Sequence, residues 1–348
     1  MLSGLINNYK VWRERRCFKI FSMLLKFAVA VLIVWLLLRK ADVRKEDFLG
    51  VSLRWIAAAF AVIFLQSLLT AVRWLYLMRA VNCKVTLFEA VSLTMQGLFF
   101  TLFIPGGAVS GDVCKAALIA GKTADGGKFQ AAFSVLIDRV CGLCGLLIIS
   151  FCSALAAMIL LPEAAPWFRK LMAAALIAIP LLLLCALMAF RCDLILKIAF
   201  FKKLYDWSNK ITRGAVARIE EALAAYRPAW KSVLGCTLFS AFVTFPLVAL
   251  SVWLICIGLP GCDAWNNLYC AVGSMLSGSL GELAGILPLT PGGIGVRDAA
   301  FVEIFKGCGM SEAVSTQIPL LFTTLFMLTN SLGGLFALYM LLGKWSKK

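Results

Sequence analysis

The sequence predicts an all-α polytopic membrane protein with six crossing helices and two oppositely oriented re-entrant helical hairpins. Three observations carry that prediction. Hydrophobic residues make up 62% of the 348-residue chain and charged residues only 15%, with mean hydropathy +0.92, whereas soluble domains run about 45–50% apolar and about 25% charged. The apolar residues gather into long runs separated by short basic segments. Two of those runs are interrupted at matching places by Pro-Gly-Gly. One globular core cannot hide this much apolar surface, so an ordinary soluble enzyme, a disordered chain and a fibrous repeat are excluded.

The first element is the run Phe18 to Leu38, preceded by Arg13, Arg15 and Arg16. About 20 residues at 1.5 Å each suffice to cross a bilayer. The run closes on Trp35-Leu36-Leu37-Leu38-Arg39 rather than on a small-residue cleavage site, so it reads as a retained helix and not a signal peptide. Further full spans are expected at Trp55 to Met78, Phe129 to Leu160, Trp167 to Phe190, Ser232 to Gly258 and Val314 to Leu342. The two interrupted regions, about 88–121 and 264–307, are expected to enter the membrane and return to their own side. All of this forms one transmembrane domain over residues 1–343, followed by a short basic tail, 344–348. The connector at about 191–231 is rich in Lys and Arg among Phe200, Phe201, Leu204, Tyr205 and Trp207. It reads as amphipathic and cytoplasmic, a topology-fixing connector or a lipid-headgroup surface.

Charge orients this arrangement. The chain carries 34 Lys+Arg against 18 Asp+Glu, a net +16. In a membrane chain such basicity points to the positive-inside rule and anionic headgroups, so no nucleic-acid partner is expected. With re-entrant hairpins and both termini inside, the inner side collects five basic residues from 1–19 and nine from Arg191 to Lys231. It also collects Arg79, Lys84, Lys115, Lys122, Lys128 and the three of the C-terminus, against nine residues outside. The expected location is therefore the cytoplasmic (inner) membrane, with both termini cytoplasmic. The basic loop 39–54 fits least well, although Asp42, Glu46 and Asp47 dilute it.

The interruptions form an internal repeat. Pro105-Gly106-Gly107 leads to Asp112 and Gly121, and Pro291-Gly292-Gly293 leads to Asp298 and Gly307, both fitting P-G-G-x4-D-x8-G. Entering from opposite faces, the pair would make the inverted repeat common in secondary transporters. Proline and two glycines turn the chain. At membrane depth such a turn must be buried in protein or line a wet cavity. The helix that follows presents its N–H groups to negative charge. Asp112 and Asp298 either cap those helices or serve a polar centre where the two ends meet.

Ionisable residues inside apolar segments cost a few kcal/mol each unless they face protein, water or a partner. Arg73, Asp138, Arg139, Glu282 and Arg297 are such residues. They are open to two readings, pairs that lock the bundle or groups that meet a substrate. Adjacent helical residues point roughly 100° apart, so Asp138 and Arg139 are expected to have different partners. Gly273, Ser277, Gly281 and Gly285 recur every four residues, a stripe read as close helix packing. The chain has no histidine and 13 cysteines. The cysteines read as small buried apolar residues, and Cys141 and Cys144, with CxxC spacing, lack a second pair. No metal and no cofactor are expected, and no Gly-Lys-Ser/Thr phosphate loop is present.

These stretches resemble the transmembrane region of lysylphosphatidylglycerol synthases, the flippase-like integral membrane proteins. The resemblance rests on Arg73-Trp74, on Ile104 to Asp112, on Ser134 to Gly142 with Asp138-Arg139, and on Leu287 to Asp298. It covers nearly the whole chain. The family's last motif usually ends Arg-Glu, and here it reads Arg297-Asp298, which shortens the acid. In the full-length synthases, the resemblance implies, a soluble C-terminal domain transfers lysine from tRNA to phosphatidylglycerol and the membrane part moves the lipid. With Lys348 a few residues past the last span, no aminoacyltransferase domain is expected here.

The leading expectation is lipid transport by a flippase not driven directly by ATP. Its substrate would be an anionic or zwitterionic lipid: an aminoacyl-phospholipid, a polyprenyl-phosphate or a glycolipid. Arg73, Arg139 and Arg297 would bind the headgroup. Asp112, Asp138, Glu282 and Asp298 would be charge partners or proton carriers. Two other readings stand beside it. One is a non-catalytic subunit that recruits a separately encoded lipid synthase or glycosyltransferase through 191–231. The other is an intramembrane headgroup enzyme with paired carboxylates, which the missing histidine and the missing Gly-x-Ser-x-Gly elbow disfavour.

Overall fold

The computed structural model describes residues 50–345 apart from 84, 104–107, 123–127, 191–206, 208, 210–219, 221–222, 225, 261, 263, 265–266 and 287–294. The predicted first span, both Pro-Gly-Gly turns (Pro105, Gly106, Gly107; Pro291, Gly292, Gly293) and most of the connector lie outside the described residues.

Among the described residues, five helices are long and apolar enough to cross a membrane. They are α1 (Leu53–Ala80), α4 (Lys128–Leu160), α5 (Pro166–Phe190), α6 (Trp230–Gly258) and α9 (Glu312–Trp345). They match the predicted spans, each end falling within a few residues. Between them lie two shorter pairs. The first is α2 (Leu87–Phe103) with α3 (Ala108–Lys122). The second is α7, built as Leu268–Leu276, a π-turn Ser277–Gly281 and Glu282–Gly285, with α8 (Val296–Gly307). At 1.5 Å per residue α2, α3 and α8 reach roughly 26, 23 and 18 Å, short of the ~30 Å hydrocarbon core.

Local chemistry sets several boundaries. Ser52 opens α1, and its N–H donates to the Gly258 carbonyl at 2.8 Å, which ties the start of α1 to the end of α6. Asn82 takes φ +58 and Cys83 N–H reaches back to Met78 O, so the end of α1 closes in a left-handed turn. Thr86 and Glu89 form a reciprocal capping box at the start of α2, with Thr86 N to Glu89 Oε2 at 3.1 Å and Glu89 N to Thr86 Oγ1 at 3.3 Å. In α6 a π-turn, Ser240–Thr244, precedes Pro246. Proline offers no N–H to the carbonyl four residues back, and the wider turn absorbs that break.

Packing follows small residues. On α1, Ala59, Ile63, Ser67, Ala71, Trp74 and Met78 form the buried face. Gly111 of α3 meets the Gly97 carbonyl and Thr101 Oγ1 of α2 so closely that a side chain would collide with both. The predicted stripe on α7 is the α7–α8 contact: Gly273 faces Phe305, Gly281 faces Phe301 and Gly285 faces Arg297. Helix α5 stands at the edge, with Ile177, Leu181, Leu184 and Leu187 turned outward as a lipid-facing surface should be.

The two short pairs open toward opposite ends of the bundle. Phe88 at the start of α2 meets Tyr339 near the end of α9, edge-on at 5.8 Å. Gly307 at the end of α8 instead packs against Phe168 at the start of α5. Helix α9 touches both pairs. Its Thr323 binds Asp298 of α8, and its Gly333 and Gly334 lie against Met95 and Phe99 of α2.

Candidate functional site

Two charge centres sit inside this bundle. The first joins α1, α3, α4 and α6. Arg73 Nε donates to Asp138 Oδ1 at 2.8 Å, Nη1 to Ser240 Oγ at 2.6 Å and Nη2 to the Asp138 carbonyl at 3.3 Å. Arg73 is only 6% exposed. Gly142 makes room for the guanidinium, since a Cβ there would stand 3.3 Å from Nη1. Trp74 beside it donates Nε1–H to Ser134 Oγ. The Lys115 ammonium of α3 lies 3.8 Å from the centre of the Trp74 ring, a cation–π contact in a buried setting.

Arg139, next to Asp138, turns away from this core. Its Nε and Nη2 both donate to Asp112 Oδ1 of α3, at 2.9 and 2.6 Å. The expectation that Asp138 and Arg139 have different partners therefore holds. Here the side chain is 51% exposed, yet it lies roughly 17 Å along α4, a helix long and apolar enough to cross a membrane. Asp112 falls one turn inside α3 and holds Arg139, so it pairs rather than caps. Lys115 feels Asp138, Asp112, Arg139 and Arg73 as its charged neighbours. Three cations and two carboxylates leave this centre with one surplus positive charge.

The second centre joins α7, α8 and α9. Asp298 Oδ2 accepts from the Gly295 N–H at 3.2 Å, and Oδ1 accepts from Thr323 Oγ1 at 2.6 Å. Gly295 takes φ +90, a conformation that favours glycine. Asp298 thus caps α8, and its Oδ1 also stands 3.7 Å from Arg297 Nε, so it takes part in the polar centre as well. Arg297, 2% exposed, donates Nη2–H to Thr323 Oγ1 at 2.8 Å, and its guanidinium lies 4.9 and 4.8 Å from the Phe322 and Phe326 ring centres. Its Nη1 stands 3.5 Å from Glu282 Oε1, an ion pair without hydrogen-bond geometry. Glu282 follows the π-turn of α7 directly, a placement π-turns often have at functional sites. One cation and two carboxylates leave this centre with one surplus negative charge.

Among the predicted residues, Arg73 and Arg297 are thus enclosed by internal partners, and Arg139 reaches the surface. Lys115 was missed as a site residue because the sequence places it among loop basics. Its spacing of three from Asp112, one helical face, was the available signal. Another grouping, of cysteines at one end of the bundle, also escaped sequence reasoning.

An all-helical bundle with apolar outer faces and charge enclosed between helices long enough to cross a bilayer defines an integral, polytopic membrane protein. The chain belongs to the family described as the lysylphosphatidylglycerol synthase TM region, whose model matches residues 23–334. It is also similar to a UPF0104 membrane protein of Pyrococcus horikoshii, 20% identical over 325 residues that cover 89% of this chain and 95% of the relative. No solved structure matches the chain.

Proposed function

We propose that this protein is a lipid flippase of the cytoplasmic membrane, moving an anionic or zwitterionic lipid without direct ATP drive. Arg139 carries the proposal. An arginine half exposed within an apolar spanning helix is costly wherever acyl chains surround it, and binding a lipid phosphate removes that cost. The surplus positive charge of its centre favours a phosphate-bearing headgroup, and Lys115 and Asp112 tune the field there. In this reading the headgroup engages Arg139 while the tails stay beside α3 and α4. The short pairs α2–α3 and α7–α8 act as re-entrant hairpins entering from opposite faces, with both termini cytoplasmic.

The second centre supplies the coupling. Its surplus negative charge is cancelled when Glu282 takes a proton, so a proton gradient can shift the contacts of Arg297 and with them the α7–α8 pair. The aminoacyl-phospholipid, polyprenyl-phosphate and glycolipid substrates are separated by reconstitution in liposomes with each labelled lipid. Parent protein is expected to equilibrate the matching lipid between leaflets, and Arg139→Ala to slow it at least about tenfold. Unchanged flux in Arg139→Ala rules the site out. Glu282→Gln is expected to keep downhill movement and lose its response to a pH gradient.

A further inference from the structure

The sulfur atoms of Cys256, Cys262 and Cys270 all lie within 4.8 Å of one another. Their spacing, C-x5-C-x7-C, is unremarkable in sequence, and the fold brings them together. Cys256 stands in the last turn of α6 and Cys270 in the first turn of α7. Cys262 sits on the loop between them. Cys262 N–H donates to Leu259 O at 3.4 Å, and Trp253 Nε1–H donates to Ala264 O at 3.3 Å. Asn267 Oδ1 accepts from Tyr269 N–H and starts α7.

We infer that these three cysteines form a binding site for one soft, thiophilic metal ion of the zinc or copper(I) kind. The site is independent of the flippase reading. Sulfur donors select soft cations over magnesium or calcium. A cation with bonds of about 2.3 Å to three sulfurs in its plane spaces them about 4.0 Å apart. The Cys262 and Cys270 sulfurs are 3.9 Å apart. Cys256 and Cys270 are buried, and the half-buried Cys262 lines a cavity of about 520 Å³ together with Asn267, Lys306 and Cys308. That cavity gives an ion a route in and leaves room for water as a fourth ligand. A disulfide would use two of the three sulfurs and leave the third unexplained.

The test uses the full chain, purified in detergent with a non-thiol reductant, and cadmium(II) as the probe. Parent protein is expected to bind one Cd²⁺ per chain with a sulfur-to-metal charge-transfer band. Binding should weaken at lower pH, since each thiol must lose its proton. Cys262→Ala with Cys270→Ala is expected to lose the band and at least about tenfold in affinity. Cys141→Ala with Cys144→Ala keeps both. Competition by Zn²⁺ and by copper(I) then identifies the preferred ion. In the parent itself, bound Cd²⁺ is expected to protect Cys262 from maleimide, a readout that needs no variant. Absence of saturable binding, Cd²⁺ retained by the double variant, no protection of Cys262, or a Cys262–Cys270 disulfide in protein isolated without reductant would each overturn the inference.

Discussion

Asp138 illustrates what a buried charge does in this molecule. It accepts from Arg73, whose guanidinium also reaches Ser240, so one carboxylate joins three helices. Removing one partner of a buried pair strands the other, at about 3–5 kcal/mol, whereas replacing both by apolar residues is often near neutral. Asp138→Ala is therefore expected to lower the thermal unfolding midpoint in detergent strongly. The double change Arg73→Met with Asp138→Leu should recover most of that loss, and a double variant no better than the single one would show that the pair does not hold the bundle. Arg139→Ala, half exposed, should leave the midpoint close to that of the parent. The sequence marks all three residues as costly at membrane depth. It does not mark which are enclosed, because that depends on which faces of four helices meet.

At the scale of the element, glycine sets how closely helices approach. A Cβ at Gly281 would collide with the Phe301 ring, and one at Gly111 with the Gly97 carbonyl and Thr101. At Gly285 the nearest atom would be 3.4 Å away, on the Arg297 side chain. Gly281→Ala and Gly111→Ala are expected to cost about 1–3 kcal/mol each through overpacking, and Gly285→Ala much less. Thermal unfolding of the three variants in one detergent ranks them, and equal midpoints would show that the contacts are loose. The four-residue stripe of α7 was legible in the sequence because helical periodicity places it on one face. Its partner was not, since Phe301 and Phe305 carry no local sign of what they pack against. The matching Pro-Gly-Gly-x4-Asp motifs also conceal a difference: Asp298 caps α8 and pairs with the adjacent Arg297, whereas Asp112 pairs with Arg139 of another helix.

For the whole molecule the decisive property is sidedness. Cys83 lies at the end where α1 finishes and α2 begins. Cys262 and Cys308 line one cavity at the opposite end. A membrane-impermeant maleimide is expected to label Cys262 from one side of sealed vesicles and Cys83 from the other, in variants that each keep a single reactive cysteine. Labelling of both from the same side would overturn the proposed opposition of the hairpins. Cys308, buried at 3% exposure, should react on the side of Cys262 but more slowly. The positions of the five long spans among the described residues were legible because hydropathy runs at 1.5 Å per residue must match a bilayer of fixed thickness.

The sequence by itself determined the class of protein, the five long spans among the described residues and the identity of the ionisable residues within them. Apolar run length and the cost of charge in hydrocarbon are local properties that each segment carries alone. Only the tertiary structure decided that Arg73 and Arg297 are enclosed, that Arg139 faces outward with Asp112, and that Lys115 joins them. It also decided that three cysteines scattered over two helices and a loop share one point in space. Those outcomes depend on the rotation and depth at which helices cross, and packing between distant segments sets both.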